Sequence, residues 1–408
     1  MTTLAPSVEY DPFSAAFKAD PWPVYRRLRD EAPVYHSEKW GFWALSRFDD
    51  VRAAARDHET YLSYQGIDID DTAKDMSSPG FLPDVDNPRH DQLRRIVQRS
   101  FLPRTVAKLE HDVRRVVTDL VDRFADTGTA DLAQELSWPI PYAVFFDVLG
   151  LPSTGSDRED LIAWSHGLKD REDDDPRLTP VAWEALHDTK DYLAAALTDR
   201  RRRPREDLLT TLATAEIDGT PFAPAVIDRD CEVVGLAFVL FLAGVESTAG
   251  LLSTAFHQLA RHPQQRRALV ADPSLIPAAV EEALRFDAPL QVAGRTATRD
   301  VELHGVTIPA GRRVFLVHGC ANRDERRFDD PDRFDVFRAP QRHMSFSEGL
   351  HGCLGAPLAR LEARVALEVA LPRLGDYTVS GPLRRYRSTP NMRVLDRLPV
   401  SFTPGGTA

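Results

Sequence analysis

The chain has 408 residues, enough for one large domain or two or three ordinary ones, and its 43% hydrophobic and 28% charged residues are typical of a soluble globular protein. Its net charge of −11 at pH 7 argues against a nucleic-acid partner. The three cysteines, Cys231, Cys320 and Cys353, cannot form an even-numbered disulfide framework, which predicts a reducing compartment.

Two further features predict a cytoplasmic protein that does not contact the membrane. The first 34 residues hold no basic segment followed by an apolar core, so no signal peptide or anchor is expected. The most apolar run, Val233–Val245, is about half as long as a bilayer span requires.

Apolar spacing predicts helices through most of the chain, and no internal repeat or low-complexity linker divides it. The predicted helices cover residues 21–30, 88–100, 104–127, 136–149, 179–202, 225–257, 276–286 and 354–372. Short strands are predicted at 34–36, 42–45, 291–297 and 313–317. The stretches 61–87 and 318–350 are rich in Asp, Pro and Gly, and irregular segments of that length are uncommon unless they are functional.

The helix predicted at 225–257 carries two costly residues in its apolar middle, Gly244 and Glu246. A glycine there costs backbone entropy, and a buried acid costs the desolvation of its charge. Such residues in a core suggest chemistry.

The segment 346–355 places a single cysteine, Cys353, among closely spaced glycines just before a helical pattern that starts at Ala356. The glycines allow tight turns and a close approach to a flat object. Amide dipoles at a helix N-terminus favour a thiolate and lower its pKa. A lone thiolate on such a loop is how proteins hold haem iron; the alternative is an inert cysteine in a turn.

The pattern Phe-x-x-Gly-x-His-x-Cys-x-Gly resembles the haem-binding signature of the cytochrome P-450 superfamily, with Ser347 where the family usually has Gly. The resemblance implies that Cys353 is the axial ligand of haem b, that His351 reaches a haem propionate and that Phe346 packs near the sulfur. It also implies a single cytochrome P-450 domain over residues 1–408, mainly α with a small β portion. The haem would lie between the long central helix and the helix after the cysteine loop.

The resemblance further implies an acid–alcohol pair that delivers protons to O2, the expected co-substrate. Glu246 and Ser247 fill these roles, with Thr248 as the alternative alcohol, and Ala243 and Gly244 would leave a groove for O2. The other interpretation is that Glu246 pairs with a cation and Ser247 bonds back to the helix.

A second motif, Glu282 and Arg285, puts opposite charges three residues apart on one helix face. It resembles the family's Glu-x-x-Arg pair, which ties a core helix to the segment before the cysteine loop. A further arginine completes that set. Arg333 and Arg338 are both candidates, and Arg338 is favoured.

The two haem carboxylates need cationic partners when the cofactor is buried. His90 and Arg94, one helical turn apart, resemble the family's propionate-binding pair, and Arg295 resembles another contact. With His351 they form a predicted cradle, although each alone could be a surface cation.

The predicted substrate cavity is mostly apolar, which suits a small to medium organic molecule. Besides residues 61–82 and 390–392, the side chains expected to line it are Phe238, Leu242, Leu290 and Val292.

The chain shows no flavin or iron–sulfur motif and is too short for a fused reductase, so electrons are expected from a separate ferredoxin and its reductase. A basic surface that could steer an acidic ferredoxin is predicted around the cysteine loop. Its members are Arg95, Arg99, Arg104, Arg342, Arg360 and Arg364, unless nearby acids such as Asp91 and Glu362 neutralise them.

The sequence thus predicts a cytoplasmic, monomeric haem-thiolate monooxygenase that hydroxylates or oxidatively dealkylates its substrate. Two alternatives stay open. One is a peroxide-driven haem enzyme, which would not need the acid–alcohol pair. The other is a haem-binding scaffold or sensor without turnover.

Overall fold

The computed structural model describes residues 8–69, 78–172, 175–385 and 391–404, and it has a mainly helical fold with small sheets. The described α-helices are α1 (Ala15–Ala19), α2 (Trp22–Glu31), α3 (Phe48–Arg56), α4 (Arg89–Val97), α5 (Pro103–Val106), α6 (Glu110–Asp122), α7 (Pro139–Leu149), α8 (Ser156–Gly167), α9 (Pro180–Arg202), α10 (Leu208–Thr214), α11 (Glu232–Ala243), α12 (Glu246–Arg261), α13 (Pro263–Ala271), α14 (Ile276–Phe286), α15 (His318–Ala321) and α16 (Ala356–Leu374).

The largest sheet has five strands in the order β1-β2-β12-β9-β3, antiparallel except for the parallel pair β2–β12. The described strands are β1 (Val34–Ser37), β2 (Phe42–Leu45), β3 (Tyr61–Leu62), β4 (Thr129–Asp131), β5 (Arg171–Glu172), β6 (Asp175–Leu178), β7 (Glu216–Ile217), β8 (Thr220–Pro221), β9 (Ala293–Ala297), β10 (Val301–Leu303), β11 (Val306–Ile308), β12 (Arg313–Leu316), β13 (Tyr377–Val379), β14 (Arg384–Arg385), β15 (Leu395–Arg397) and β16 (Pro399–Phe402).

The mainly α class with a small β portion is confirmed, and several elements match closely. Strand β2 covers the predicted residues 42–45, and helix α14 covers 276–286. The helix predicted at 104–127 is broken by a 3-10 turn at Ala107–Leu109. The sequence does not predict helices α1, α3, α8, α10, α13 and α15. In α8 the reason is plain, because Leu161 is its one buried residue and no apolar stripe marks the sequence.

The helix predicted over 225–257 differs from the structure in two respects. Helix α11 begins only at Glu232, and the regular helix is interrupted at Gly244 and Val245 before α12 starts, although both residues keep right-handed helical dihedrals. A Cβ at Gly244 would lie 2.5 Å from the Phe145 ring, so glycine lets α11 end against α7. The two helices together are apolar and long enough to cross a membrane, but 78% of their most apolar window is buried inside the protein, as in a core helix.

The site elements meet around this central pair. Helix α16, which follows the cysteine loop, packs against α6, α12 and α14, while α3 contacts the 3-10 turn Gly349–His351 inside the loop. Strands β3 and β9 pair beside that turn and carry Arg295 at the edge of the same region. The fold thereby brings the cysteine loop, the central helices and the five-stranded sheet to one place.

Candidate active site

The cysteine loop, residues 346–355, presents Cys353 on a backbone held by its own hydrogen bonds. The Cys353 amide donates to the Phe346 carbonyl at 2.8 Å, and the Gly352 amide donates to the Gly349 carbonyl at 3.1 Å. Cys353 is a free, exposed cysteine, and α16 starts close behind it at Ala356. The loop therefore offers an accessible sulfur at the N-terminal end of a long helix.

Two neighbouring residues anchor the loop on helix α3. Gly349 has a φ of +70°, and a Cβ there would lie 2.6 Å from the Ala55 carbonyl oxygen, so this close approach requires glycine. The Glu348 carboxylate accepts a hydrogen bond from Arg52 at 3.2 Å and pairs with Arg342 at 3.2 Å. The contacts of Gly349 and Glu348 therefore hold the loop that carries the sulfur against helix α3.

Ser347 explains why a glycine is usual at this point of the signature. Its φ is +53°, in the left-handed region that non-glycine residues rarely adopt. Its buried hydroxyl has no hydrogen-bond partner among the described residues. Ser347 therefore adds backbone strain and an unsatisfied polar group to the loop.

Replacing Ser347 with glycine is expected to raise the free energy of unfolding by about 1 kcal/mol, because the left-handed backbone strain disappears. Thermal unfolding of the purified holoprotein measures the change. Gly349→Ser is the matched control, and it should destabilise strongly because Ala55 blocks a side chain there. An unchanged or lower melting temperature for Ser347→Gly would show that the loop is not strained at this residue.

The Gly355 and Ala356 amides at the start of α16 lower the pKa of the Cys353 thiol, in the predicted direction. Although the sulfur is accessible, the protein around it still desolvates the thiol, and this larger effect raises its pKa above the usual range overall. The low dielectric around the sulfur penalises its charge more than the amides stabilise it. A cation at the sulfur would be needed to make the thiolate the stable form.

Three predicted cradle residues surround the other side of the loop. The His90 and His351 rings lie edge to face with their centroids 4.6 Å apart, and His351 Nε2 lies 3.0 Å from the Ser63 hydroxyl. Arg94 donates to the Gly352 carbonyl at 2.8 Å and to the Leu350 carbonyl at 3.4 Å. Burial, with Arg295 and His90 nearby, lowers the pKa of His351 to about 2. Ser63, which the sequence did not point to, therefore orients a neutral His351.

The cradle fits a bound dicarboxylate. Arg295 is buried, and its guanidinium donates to the Gly294 carbonyl at 2.6 Å with no acid in ion-pair range within the described ranges. Neither ring nitrogen of His90 has a hydrogen-bond partner there, although Asp91 lies 3.5 Å from Nδ1. Burial lowers the Arg295 pKa to about 10 because the cation lacks close compensation. Unsatisfied buried donors beside an accessible cysteine match the needs of haem b.

The predicted scaffold pair is buried and bidentate. Arg285 donates to both Glu282 oxygens at 2.7 and 2.8 Å, and both side chains are 2% exposed. Arg285 also donates to the Asn322 and Pro331 carbonyls. Arg338 Nε lies 3.3 Å from Glu282, whereas Arg333 pairs with Asp335 at the surface. Of the two candidate arginines, Arg338 is the one at the pair.

The contacts of Glu246 and Ser247 are those of the second interpretation, in which Glu246 pairs with a cation and Ser247 bonds back to the helix. Glu246 forms an ion pair with Lys169, in the segment after α8, and Ser247 Oγ donates to the Ala243 carbonyl at 3.0 Å. Thr248 is buried and Ala243 is exposed. Gly244 packs against Phe145, so its small size serves packing. Among the described residues Glu246 Oε1 has no partner, which leaves one oxygen of a buried acid available.

Comparison with known proteins places this chain in a family. The family model described as Cytochrome P450 matches residues 183–374. Cytochrome P450 130 of Mycobacterium tuberculosis is 35% identical over 387 residues, covering 93% of this chain and 94% of its own length. The chain belongs to the cytochrome P450 family.

Further relatives agree with this membership. The cytochrome P450 monooxygenase PikC of Streptomyces venezuelae is 35% identical over 418 residues, covering 100% of this chain and 97% of its own length. The structure of cytochrome P450 CYP109Q5 from Chondromyces apiculatus superposes with a TM-score of 0.84 at 35% identity, covering 98% of this chain and 99% of that one.

Two of the four residues predicted to line the P450 substrate cavity are fully buried in packed clusters, and their contact with substrate stays a prediction. The Phe238 ring centroid lies 6.3 Å from that of Phe81, and the Lys190 ammonium lies 5.5 Å from the Phe238 ring. Val292 belongs to a separate core cluster around Tyr25 and Phe315.

The other two residues predicted to line the P450 cavity are partly exposed. Leu242 is half-buried next to Ala243, and Leu290 is half-buried and forms a bridge to Met392. Pro390 and residues 70–77 of the predicted loop lie outside the described residues. The two leucines therefore remain the candidates for contact with substrate.

Phe346 supports the P450 loop from the side of helix α16. The Arg360 guanidinium lies 4.5 Å from the Phe346 ring centroid, and the Phe346 carbonyl accepts a hydrogen bond from the Cys353 amide.

Glu362, suggested as an acid that neutralises the basic surface, is instead fully buried, and both its oxygens lack partners among the described residues. Burial raises the pKa of Glu362 well above its usual range, so its carboxyl group is neutral and does not offset the charge of the arginines.

Proposed function

We propose that this P450 is a haem-thiolate monooxygenase that hydroxylates or oxidatively dealkylates a small to medium organic substrate. The observation that carries the proposal is the accessible Cys353 sulfur beside a buried cradle of unsatisfied donors. Cys353 would ligate the iron of haem b, and His90, Arg94, Arg295 and His351 would hold its carboxylates.

The bound cofactor would supply activation of O2, and the chain would supply protons and exclude bulk water. Glu246 is the proposed proton carrier, because Oε2 pairs with Lys169, which is 15% exposed, while Oε1 stays free among the described residues. Ser247 is the proposed alcohol; its hydroxyl would turn from the Ala243 carbonyl toward the cavity. Thr248 is the alternative.

Glu246→Gln is expected to slow turnover by about a hundredfold or more while leaving substrate binding intact, because a general acid is lost. Ser247→Ala should divert electrons from product to hydrogen peroxide. Product, peroxide and cofactor consumption are measured together. Ser253→Ala is the matched control, since Ser253 also bonds a backbone carbonyl of α12. Wild-type rate and coupling in both variants would transfer the role to Thr248.

The substrate class is proposed from the cavity and from the relatives. Leu242 and Leu290 offer apolar contacts, and one relative is named Erythromycin C-12 hydroxylase. Another is named for polyketide biosynthesis. Polyketides are therefore the first compounds to screen, and a substrate-induced change of the haem spin state identifies a ligand.

Electrons are proposed to come from a separate ferredoxin and reductase, because the chain carries unpaired surface arginines that could receive an acidic partner. The protein is proposed to be a cytoplasmic monomer. The proposed ferredoxin-binding surface includes fewer unpaired arginines than the six predicted. Arg342, Arg360 and Arg364 pair with Glu348, Glu281 and Glu110. In the described part of the chain, Arg95, Arg99 and Arg104 have no acid in ion-pair range, so these three carry the proposed docking charge.

Arg99→Glu is expected to slow association with an acidic ferredoxin by roughly tenfold at low salt, without changing substrate binding. Stopped-flow reduction at two salt concentrations measures the rate. Arg203→Glu is the control, because Arg203 is equally basic and highly exposed but lies at the end of α9. A reduction rate insensitive to both Arg99→Glu and salt would remove this surface from the proposal.

The overall proposal is tested with NADH, a surrogate ferredoxin and its reductase. Product that depends on O2 and on these proteins supports it. Product from hydrogen peroxide alone would favour the peroxide-driven alternative. No product in either assay, across the ligands that shift the spin state, would favour the scaffold or sensor.

A further inference from the structure

A cation lies against the ring of Phe346, the aromatic residue that opens the cysteine loop. The Arg360 guanidinium, one turn into α16, is 4.5 Å from the centroid of that ring, which is within the range of a cation–π contact. The Phe346 carbonyl accepts a hydrogen bond from the Cys353 amide at 2.8 Å. One residue of the loop therefore contacts both the charge of Arg360 and the backbone of the cysteine.

Glu281, in the middle of α14, holds this guanidinium in place. Arg360 donates to its two oxygens at 2.6 and 2.9 Å, and His343 Nε2 lies 3.2 Å from Oε2. Since His343 Nδ1 accepts a hydrogen bond from the Ser345 amide at 3.2 Å, the proton of a neutral ring lies on Nε2 and points to the carboxylate. Burial alone would raise the pKa of Glu281, but the hydrogen bonds from Arg360 and His343 lower it to about 2. The carboxylate is therefore charged at neutral pH.

The segment before the cysteine loop joins this ion pair to the loop. His343 precedes Phe346 in that segment, and the centroids of the two rings are 6.0 Å apart. Between them, the Ser345 hydroxyl donates to the Leu284 carbonyl of α14 at 2.7 Å. Because protein groups make all of these contacts, the position of the Arg360 charge relative to the loop is set before a cofactor binds.

Two opposite charges therefore act on the cysteine loop at close range. Desolvation raises the pKa of the Cys353 thiol, and the Arg360 charge is among the groups that lower it. Reduction of a haem iron adds one electron, so a nearby cation favours the reduced state and a nearby carboxylate disfavours it. Solvent weakens both effects, because a cavity of about 610 Å³, lined by both Glu281 and Arg360, adjoins the pair.

We propose that the Arg360–Glu281 ion pair sets the reduction potential of the haem bound to Cys353. The Arg360 charge favours the ferrous state, and the Glu281 carboxylate limits that effect. This inference rests on the proposed function, because it takes haem b with a thiolate ligand as the bound cofactor. The pair thereby controls how readily an electron donor of a given potential reduces the protein.

The test is a spectroelectrochemical titration of the purified holoproteins. Arg360→Met is expected to lower the reduction potential and Glu281→Gln to raise it, each changing the ratio of ferrous to ferric haem at a fixed solution potential by roughly three- to tenfold. Both substitutions break the same ion pair, so a loosened loop would shift both potentials in one direction. Shifts of opposite sign therefore identify charge as the cause, and added salt should reduce both of them.

A neighbouring ion pair on the same helix provides the controls. Arg364 lies one turn further along α16, away from the cysteine loop, and donates to Glu110 at 2.6 Å. Arg364→Met and Glu110→Gln should leave the reduction potential unchanged. Shifts in these controls as large as those at Arg360 and Glu281 would overturn the proposal, because the whole charged face would then act without a special role for one pair.

Unchanged potentials, or shifts of the same sign in Arg360→Met and Glu281→Gln, would also overturn the proposal. If Arg360→Met binds no haem, Glu281→Gln decides, with Arg360→Lys as a second variant that keeps the charge and should stay close to the wild-type potential.

The carbon monoxide spectrum of the reduced proteins separates this inference from the proposed function. Loss of the thiolate band in Glu281→Gln would contradict the inference, because the pair would then maintain ligation by Cys353 instead of adjusting charge. Absence of that band in the wild type would count against the proposed function itself. Normal bands with unchanged potentials would count against the role of the ion pair alone.

Discussion

Cys353→Ala is expected to abolish the long-wavelength absorption that a reduced, thiolate-ligated haem gives with carbon monoxide, and to abolish turnover. The sulfur is exposed on a loop whose backbone is fixed by the Phe346 carbonyl and by Gly349 against α3. No rearrangement of this loop could bring another cysteine to the same place, because Cys231 and Cys320 lie on other elements.

The other two cysteines provide the controls. Cys320 is fully buried, its Sγ lies 3.2 Å from the Tyr25 carbonyl, and burial raises its pKa to about 12. Cys231 lies beside the Asp228 carboxylate, and burial raises its pKa too. Cys231→Ala and Cys320→Ala should therefore keep the spectrum. If Cys353→Ala kept it and either control lost it, the assignment of the ligand would be wrong.

Glu282→Ala is expected to cost about 3–5 kcal/mol, because removing one partner leaves the Arg285 charge buried and unpaired. That loss is comparable to the whole free energy of unfolding of many proteins. Glu282 also accepts the Asp335 amide at 2.9 Å and lies by Arg338, so the segment before the cysteine loop would lose its attachment. Little or no haem-loaded protein should be obtained.

A surface pair with the same spacing provides the comparison. Asp112 and Arg115 are also three residues apart on a helix, but their side chains are 54% and 60% exposed. Asp112→Ala should change the free energy of unfolding by less than about 1 kcal/mol, because solvent screens exposed pairs. Haem content and thermal unfolding of both variants measure the contrast. Equal, small effects would mean that burial of Glu282 contributes nothing.

Much of the fold could be predicted because its signals are local. Apolar periodicity located α9, α14 and α16, and β-branched and aromatic residues located β1 and β2. The break between α11 and α12 could not be predicted in this way. At the interruption Gly244 faces Phe145, about a hundred residues away, whose ring occupies the space that a side chain at 244 would need.

The substrate cavity was the least predictable part, since an apolar residue looks the same whether it lines a cavity or fills a core. Phe238 and Val292 satisfied the pattern and proved to be core residues. The direction of a side chain depends on the helix or strand that carries it and on what packs against that element.

By itself the sequence determined the family, because a cysteine among spaced glycines and an acid and arginine three residues apart are local patterns that need no partner to be recognised. Only the tertiary structure decided which side chains meet across the chain. It placed Arg338 rather than Arg333 at Glu282 and Lys169 at Glu246. Those pairings depend on where distant segments pack, since charge and hydrogen-bonding capacity reveal what a residue can bind but not what lies within its reach.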